Sequence, residues 1–178
     1  MQIKKIYLDM DGVLADFDKG VQDLLGLPRV DQGKRTEEEN RKLHQSMREY
    51  DHFYDHLELL PHAKEMFNYI YGRFGKRCEV LSGIPVPKKG IATAKDDKIA
   101  WMRRNLSEDI KMNIVLRSEK VNYCEGRDCI LIDDFSKNIE EWEAAGGTGI
   151  LFTSWEDTKE KLENLSTDDR FEKDNSLF

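Results

Sequence analysis

Short apolar runs alternate with amphipathic stretches along this chain. Five of the runs have the length and composition of buried strands, while apolar residues between them recur at three- and four-residue spacing, which predicts helices. The predicted strands are residues 3–8, 78–81, 114–116, 129–132 and 148–152. Pro61 is expected to open one helix, and Asp96 or Asp97 to cap another. Strands that alternate with helices predict an α/β fold, a Rossmann-like parallel sheet flanked by helices.

The segment between the first strand and Pro61 has a different pattern. Apolar residues at helical spacing begin at Phe17, a polar stretch follows at 31–41, and a second apolar set ends at Tyr54. We interpret residues 16–60 as a small helical cap inserted after the first strand. The core domain then comprises residues 1–15 and 61–178, with a last helix near 155–165 and a polar tail that we expect to be loose.

Composition narrows the class of protein. The chain has 178 residues, a formal net charge of −7 and 35% charged residues, with no long apolar run, so we expect no contact with a membrane. An extended nucleic-acid surface needs a basic face and is not expected, but a small anionic substrate remains compatible with a locally positive cleft. Three cysteines without a CxxC pair are typical of a cytoplasmic protein with reduced thiols. Monomer and homodimer both remain open.

Polar residues suited to one reaction follow four of the predicted strands. Asp9 and Asp11 follow the first strand and Ser82 the second; Lys120 comes shortly after the third, and Asp133-Asp134 follows the fourth. Because the carboxyl ends of parallel strands share one edge of the sheet, we expect these groups to converge there. Carboxylate oxygens suit a hard ion such as Mg²⁺, which would offset the repulsion among the aspartates.

The same set of residues suits phosphate chemistry. Lys120 and the Ser82 hydroxyl could hold phosphoryl oxygens, with Arg117 as the competing cation. Asp9 could attack phosphorus covalently, and Asp11 could protonate the leaving oxygen and later activate water. The sequence therefore predicts a phosphomonoesterase. Asp-x-Asp-Gly also resembles the start of a calcium loop, but the later ligands of such a loop are missing.

In the order Asp9-Met10-Asp11-Gly12, Ser82, Lys120 and Asp133-Asp134, the chain resembles the haloacid dehalogenase (HAD) superfamily of phosphatases. The resemblance implies the HAD core fold, an aspartyl-phosphate intermediate and Mg²⁺ as cofactor. Asp9 would be nucleophile and metal ligand, and Asp11 would be acid/base and give its backbone carbonyl to the metal. Ser82, Gly83 and Lys120 would bind the phosphate. Asp134 is favoured as the direct metal ligand and Asp133 as the supporting one.

Within that superfamily, the chain is similar to the 5'(3')-deoxyribonucleotidases. The similarity rests on residues 9–17, on Leu-Glu-Leu-Leu-Pro at 57–61 and on Leu-Ile-Asp-Asp at 131–134; Ser-Gly-Ile-Pro at 82–85 departs from the Thr-Ser-Pro-like run of that group. It implies a 5'-nucleotidase of nucleotide metabolism that acts on (deoxy)nucleoside monophosphates. Phe17 is a candidate for contacting the base, unless it only packs the cap. The alternatives are a phosphatase for a sugar phosphate or nucleic-acid end, and a non-catalytic module that binds a phosphorylated ligand.

Overall fold

The computed structural model of the protein describes residues 1–172, and side chains as far as residue 166. The last helix extends to Glu172, beyond the predicted end near residue 165. The rest of the predicted polar tail, from residue 173 onward, lies outside the described residues. Within the described range, no helix combines the length and the apolar character needed to cross a membrane.

The core of the protein is a five-stranded parallel sheet with strand order β3-β2-β1-β4-β5. Its strands are β1 (Lys5–Leu8), β2 (Cys78–Ile84), β3 (Met112–Leu116), β4 (Cys129–Asp133) and β5 (Thr148–Leu151). β1 is central because it pairs with β2 on one side and β4 on the other. The predicted α/β fold, a parallel sheet flanked by helices, is confirmed.

Within residues 1–172, six α-helices surround the sheet or connect its strands. They are α1 (Phe17–Leu25), α2 (Glu37–Glu49), α3 (Ala63–Phe74), α4 (Ala94–Asn105), α5 (Ser136–Ala144) and α6 (Trp155–Glu172). A 3₁₀ turn at Phe53–His56 follows α2. The helices α1 and α2 and this turn all lie between β1 and α3 along the chain, in the segment interpreted from the sequence as a cap.

Hydrophobic clusters cover both faces of the sheet because successive side chains of a strand point to opposite sides. Ile6 and Leu8 of β1 join a large cluster, and Tyr7 between them joins a smaller one. The smaller cluster includes Trp142 of α5, which donates from Nε1 to the carbonyl oxygen of Cys129 at 3.1 Å. β1 is thus buried on both faces, which holds the residue that follows it in a rigid frame.

Two predicted helix starts differ from the structure. The helix assigned to Pro61 begins at Ala63, and α4 begins at Ala94 with Thr93 as its N-cap residue, so neither Asp96 nor Asp97 caps it. Asp97 is instead buried. Its carboxylate accepts a hydrogen bond from the Thr93 hydroxyl at 2.8 Å and forms a second hydrogen bond with His52 Nδ1 at 2.7 Å. The Asp97 carboxylate therefore contacts His52, from a distant part of the chain, instead of capping α4 as the local sequence predicts.

The segment between β1 and α3 leaves and rejoins the core at neighbouring points. Ala15 and Leu59 form an isolated antiparallel bridge. The backbone N–H of Asp16 donates to the carbonyl oxygen of Glu58 at 2.8 Å, and that of Leu60 donates to Leu14 at 2.9 Å. We call these paired backbone segments, residues 14–16 and 58–60, the stems of the insertion; they begin only a few residues after the end of β1.

Candidate active site

A tight loop carries Asp9 and Asp11 just beyond the end of β1. The backbone N–H of Asp9 donates to the carbonyl oxygen of Ile132 at 2.9 Å, which ties the loop to β4. Gly12 has φ +75°, and a Cβ atom placed there would lie 2.0 Å from Oδ2 of Asp134. Only glycine allows both this backbone conformation and this close approach. The loop is therefore built to bring its backbone against Asp134.

Three carboxylates form one group at the carboxyl ends of β1 and β4. Asp9, Asp133 and Asp134 each offer an oxygen, and these oxygens all lie within 4.8 Å of one another. Burial, together with the negative charge of Asp9, raises the pKa of Asp133. Burial also raises the pKa of Asp134, to about 8, and the charges of Asp9, Asp133 and Asp11 add to that effect. Such a group is held ionised by a neighbouring positive charge.

Asp133 and Asp134 differ sharply in their surroundings. Asp133 is completely buried, and Oδ1 accepts a hydrogen bond from the backbone N–H of Phe135 at 2.9 Å. Oδ2 accepts from Lys120 Nζ at 2.6 Å and from Asn138 Nδ2 at 2.9 Å. Asp134 Oδ1 is buried, and it has no hydrogen-bond partner among the described residues. Asp133 is thus saturated by protein donors, while Asp134 keeps a free oxygen.

Lys120 lies between the acidic groups. Its Nζ is 2.9 Å from Asp9 Oδ1 and 2.6 Å from Asp133 Oδ2. Burial alone would lower the pKa of Lys120, but the charges of Asp9 and Asp133 outweigh it and raise that pKa. The competing cation, Arg117, instead pairs with Glu141 at 2.9 Å. Of the two candidates, the structure brings Lys120 to the carboxylates.

Ser82 and Gly83 lie on the last part of β2, which continues three residues beyond its predicted end at Leu81 and reaches Ile84. Both contact the side chain of Lys98, which the sequence did not indicate as a site residue. Lys98 of α4 is completely buried, and its Nζ donates to Asp11 Oδ2 at 2.6 Å, to Ser82 Oγ at 2.9 Å and to the carbonyl oxygen of Gly83 at 2.8 Å.

A cavity of about 800 Å³ opens above these groups. Its walls come both from the core and from the segment between β1 and α3. Residues that line it include Asp9, Asp11, Gly83, Lys120, Asp134, Phe17, Arg35 and His44. The rings of Phe17 and Phe53 pack edge-on, with 5.7 Å between their centroids. The guanidinium carbon of Arg35 lies over the Phe17 ring, 6.0 Å from its centroid. Phe17 therefore both packs its neighbours and faces the cavity.

The fold is similar to that of several solved structures. A HAD-superfamily hydrolase from Ehrlichia chaffeensis aligns with 92% of this chain and 98% of its own, at 13% identity and a TM-score of 0.52. A hydrolase from Streptococcus pneumoniae aligns with 92% of this chain and 100% of its own, at 16% identity and a TM-score of 0.47. The HAD hydrolase YfnB from Bacillus subtilis, solved with magnesium, aligns over 84% and 86%, at 12% identity and a TM-score of 0.48. A search of curated proteins found no match.

The sheet is similar in fold to that of the HAD-superfamily hydrolase from Ehrlichia chaffeensis. The class of enzyme, a phosphatase, follows from a family model that matches residues 2–166, nearly the whole chain. The protein belongs to the family described as 5' nucleotidase, deoxy (pyrimidine), cytosolic type C protein. The predicted relation to the deoxyribonucleotidases is thereby confirmed.

Proposed function

We propose that this protein is a magnesium-dependent phosphomonoesterase that forms an aspartyl-phosphate on Asp9 and acts on (deoxy)nucleoside monophosphates. The observation that carries the proposal is the grouping of Asp9, Asp133 and Asp134 around Lys120 at the floor of a cavity. Membership of a 5'-nucleotidase family supports the nucleotide as substrate. The family description also supports a cytoplasmic location, which we propose on the same ground.

The residues present fit a magnesium ion. Asp134 keeps a buried oxygen without a partner among the described residues, and its pKa is raised by burial and, after that, by the negative charges of the neighbouring aspartates. Asp9, Asp134 and the backbone carbonyl of Asp11 would hold the ion, and Asp133 would support them by fixing Lys120. All of these are oxygen donors of the kind that Mg²⁺ prefers. When bound, the ion supplies positive charge that keeps the carboxylates ionised and polarises the phosphoryl group.

The reaction then follows from the positions of the side chains. A carboxylate oxygen of Asp9 attacks phosphorus, the bond from phosphorus to the ester oxygen breaks, and Asp11 gives its proton to the departing alkoxide. In the second step, water gives a proton to Asp11 and attacks the phosphorus of the aspartyl-phosphate. This restores the Asp9 carboxylate and releases inorganic phosphate. Lys120 would hold the phosphoryl oxygens throughout. Ser82, the other predicted phosphate ligand, is completely buried and does not line the cavity.

The segment 16–60 would act as the cap that selects the alcohol part of the substrate. Phe17 is the side chain proposed to contact the base, because it lines the cavity next to Asp11 and Gly12. The edge-on contact with Phe53 and the Arg35 guanidinium over the ring hold Phe17 in place beside the cavity. The core, from 1–15 and from 61 onward, would supply the chemistry.

Hydrolysis of 4-nitrophenyl phosphate with and without Mg²⁺ tests the mechanism. We expect Asp9→Asn to reduce kcat by at least about 10³-fold, since the amide is not a nucleophile for phosphorus. Asp109→Asn, at an exposed position away from the site, is the matched control and should retain wild-type activity. Full activity of Asp9→Asn would exclude the covalent route. A wild-type protein that binds phosphate but hydrolyses no ester would instead be a non-catalytic module.

A substrate panel tests the nucleotide assignment. It should contain deoxyribonucleoside and ribonucleoside monophosphates, sugar phosphates, a phosphopeptide and an oligonucleotide with a terminal phosphate. We expect the highest kcat/KM for a deoxynucleoside monophosphate. If a sugar phosphate or the oligonucleotide end ranks first, the nucleotidase assignment is wrong, although the phosphatase mechanism stands.

A further inference from the structure

Lys98 is a charged side chain buried in the core of the protein. It lies on α4 beside Trp101 and Met102, which are also completely buried. A hydrophobic residue at such a position is often as stabilising as a buried ion pair, or more so. Stability alone therefore does not account for a lysine at this position.

All the donors of Lys98 are used. An ammonium group has three N–H donors, and here they go to Asp11 Oδ2, Ser82 Oγ and the carbonyl oxygen of Gly83. These acceptors come from the loop after β1 and from the end of β2. A single side chain on α4 thus holds two segments of the site in a fixed relation.

The contact with Asp11 distinguishes the two oxygens of its carboxylate. Oδ2 is held by Lys98 at 2.6 Å, and Oδ1 is buried without a hydrogen-bond partner among the described residues. The side chain cannot rotate without breaking the bond to Lys98. Lys98 therefore fixes the orientation of a carboxylate whose residue lines the cavity.

The contact with Ser82 also sets a direction. A hydroxyl group has one donor and two acceptor sites, and Lys98 occupies an acceptor site of Ser82 Oγ. The hydroxyl proton must point away from the ammonium, and no acceptor for it is recorded among the described residues. Ser82 itself is completely buried and lies outside the cavity lining, next to Gly83, which is part of that lining.

The ring of Tyr54 shields this arrangement from solvent. Its centroid is 4.6 Å from Lys98 Nζ, and Tyr54 is itself buried. A cation over an aromatic face is attracted to it. Lys98 is itself completely buried, so its three hydrogen bonds are shielded from bulk solvent.

We propose that Lys98 is a positioning residue for phosphoryl transfer, one that fixes the Asp11 carboxylate beside the cavity for proton transfer to the leaving oxygen. The proposal rests on the proposed phosphatase mechanism. It adds a second lysine with a role distinct from that of Lys120, since Lys120 contacts the nucleophile and Lys98 contacts the acid/base residue.

The test compares kcat/KM for two substrates whose leaving groups differ in their need for a proton. The alkoxide released from a nucleoside monophosphate must be protonated, whereas nitrophenolate leaves without a proton. In Lys98→Met, any change in the loop after β1 affects both substrates, but only the alkyl phosphate depends on the positioned proton donor. We therefore expect the ratio of kcat/KM, alkyl over aryl phosphate, to fall about 100-fold, the lower end for general acid catalysis.

Lys95→Met is the matched control, because Lys95 is exposed on the same helix. It should leave both kcat/KM values unchanged. An equal loss for both substrates in Lys98→Met would overturn the proposal, because it would reflect a general structural defect. A wild-type protein that hydrolyses neither substrate would instead refute the proposed function itself.

A double variant covers the case in which Lys98→Met does not fold. Asp11→Asn combined with Lys98→Met removes both partners, so no charge is left buried and unpaired. If Lys98 acts through Asp11, the kcat/KM ratio of this double variant should equal that of Asp11→Asn alone. A further tenfold fall in the ratio would mean that Lys98 acts on the leaving group independently of Asp11, and the proposal would be wrong.

Discussion

Replacing Gly12 with alanine tests the close contact between the loop after β1 and Asp134. The left-handed conformation at Gly12, with φ +75°, costs a non-glycine residue about 1–2 kcal/mol. The new methyl group would also lie 2.0 Å from Asp134 Oδ2, so the carboxylate must retreat by more than about 1 Å to reach ordinary contact distance. A displacement of this size in a catalytic group lowers the rate about 100-fold.

Gly26→Ala provides the matched control for this variant. Gly26 has a similar φ of +64°, but a Cβ atom there meets nothing within 4 Å. Both variants should therefore lose about 1–2 kcal/mol of unfolding free energy from the backbone. Only Gly12→Ala should also lose activity and metal-dependent stabilisation.

The assay is urea unfolding with and without Mg²⁺, alongside kcat. At a Mg²⁺ concentration about 100 times the Kd, wild type and Gly26→Ala should each gain about 2.7 kcal/mol, the linkage free energy of a single bound ion. Gly12→Ala should gain much less. If Gly12→Ala gained as much as wild type and kept its kcat, the contact with Asp134 would not govern the site, and the metal position inferred from it would be wrong.

Three further predictions concern the surroundings of the site. Trp101→Phe removes the hydrogen bond from Nε1 to the carbonyl oxygen of Leu57, 2.6 Å in length, and should cost about 1–3 kcal/mol in urea unfolding; no loss would mean that the carbonyl finds another partner. The hydrogen bond to Asp97 raises the pKa of His52, so its stabilisation is complete below about pH 6.5 and disappears as the pH rises through the raised value. His52→Asn should therefore destabilise the protein more near pH 6 than near pH 9, and an equal effect at both pH values would contradict this reasoning. Burial raises the pKa of Cys78 to about 12, so its alkylation by iodoacetamide, followed by peptide mass spectrometry, should require denaturant.

The order of strands and helices follows from apolar periodicity, because the parallel strands are buried on both faces. That pattern also places Asp9 and Asp133 at strand ends, where the topology brings β1 and β4 side by side. The local boundaries were less predictable. β2 extends to Ile84 because it pairs with β3 as far as Leu116. This pairing depends on residues far away along the chain, so the local sequence does not predict it.

Lys98 was missed for a related reason. A lysine in a charged stretch is usually solvated, and the run Ala94-Lys95-Asp96-Asp97-Lys98 contains four charged residues. The available signal was position, since Lys98 precedes Trp101 and Met102 by three and four residues and so shares their buried face. Which acid it would meet depends on the loop after β1, and the spacing within the helix does not contain that information.

The paired stems at Ala15 and Leu59 have a consequence for how such proteins can diversify. Because the inserted segment leaves and re-enters at adjacent backbone positions, its length hardly changes the entropy of closing the chain around it. A different insertion could be grafted between the same two positions, and neither β1 nor the aspartates after it would need to move. Under the proposed function, specificity for the alcohol and the chemistry at phosphorus would be carried by two separate segments of the chain. The bridge between Ala15 and Leu59 marks where these segments meet.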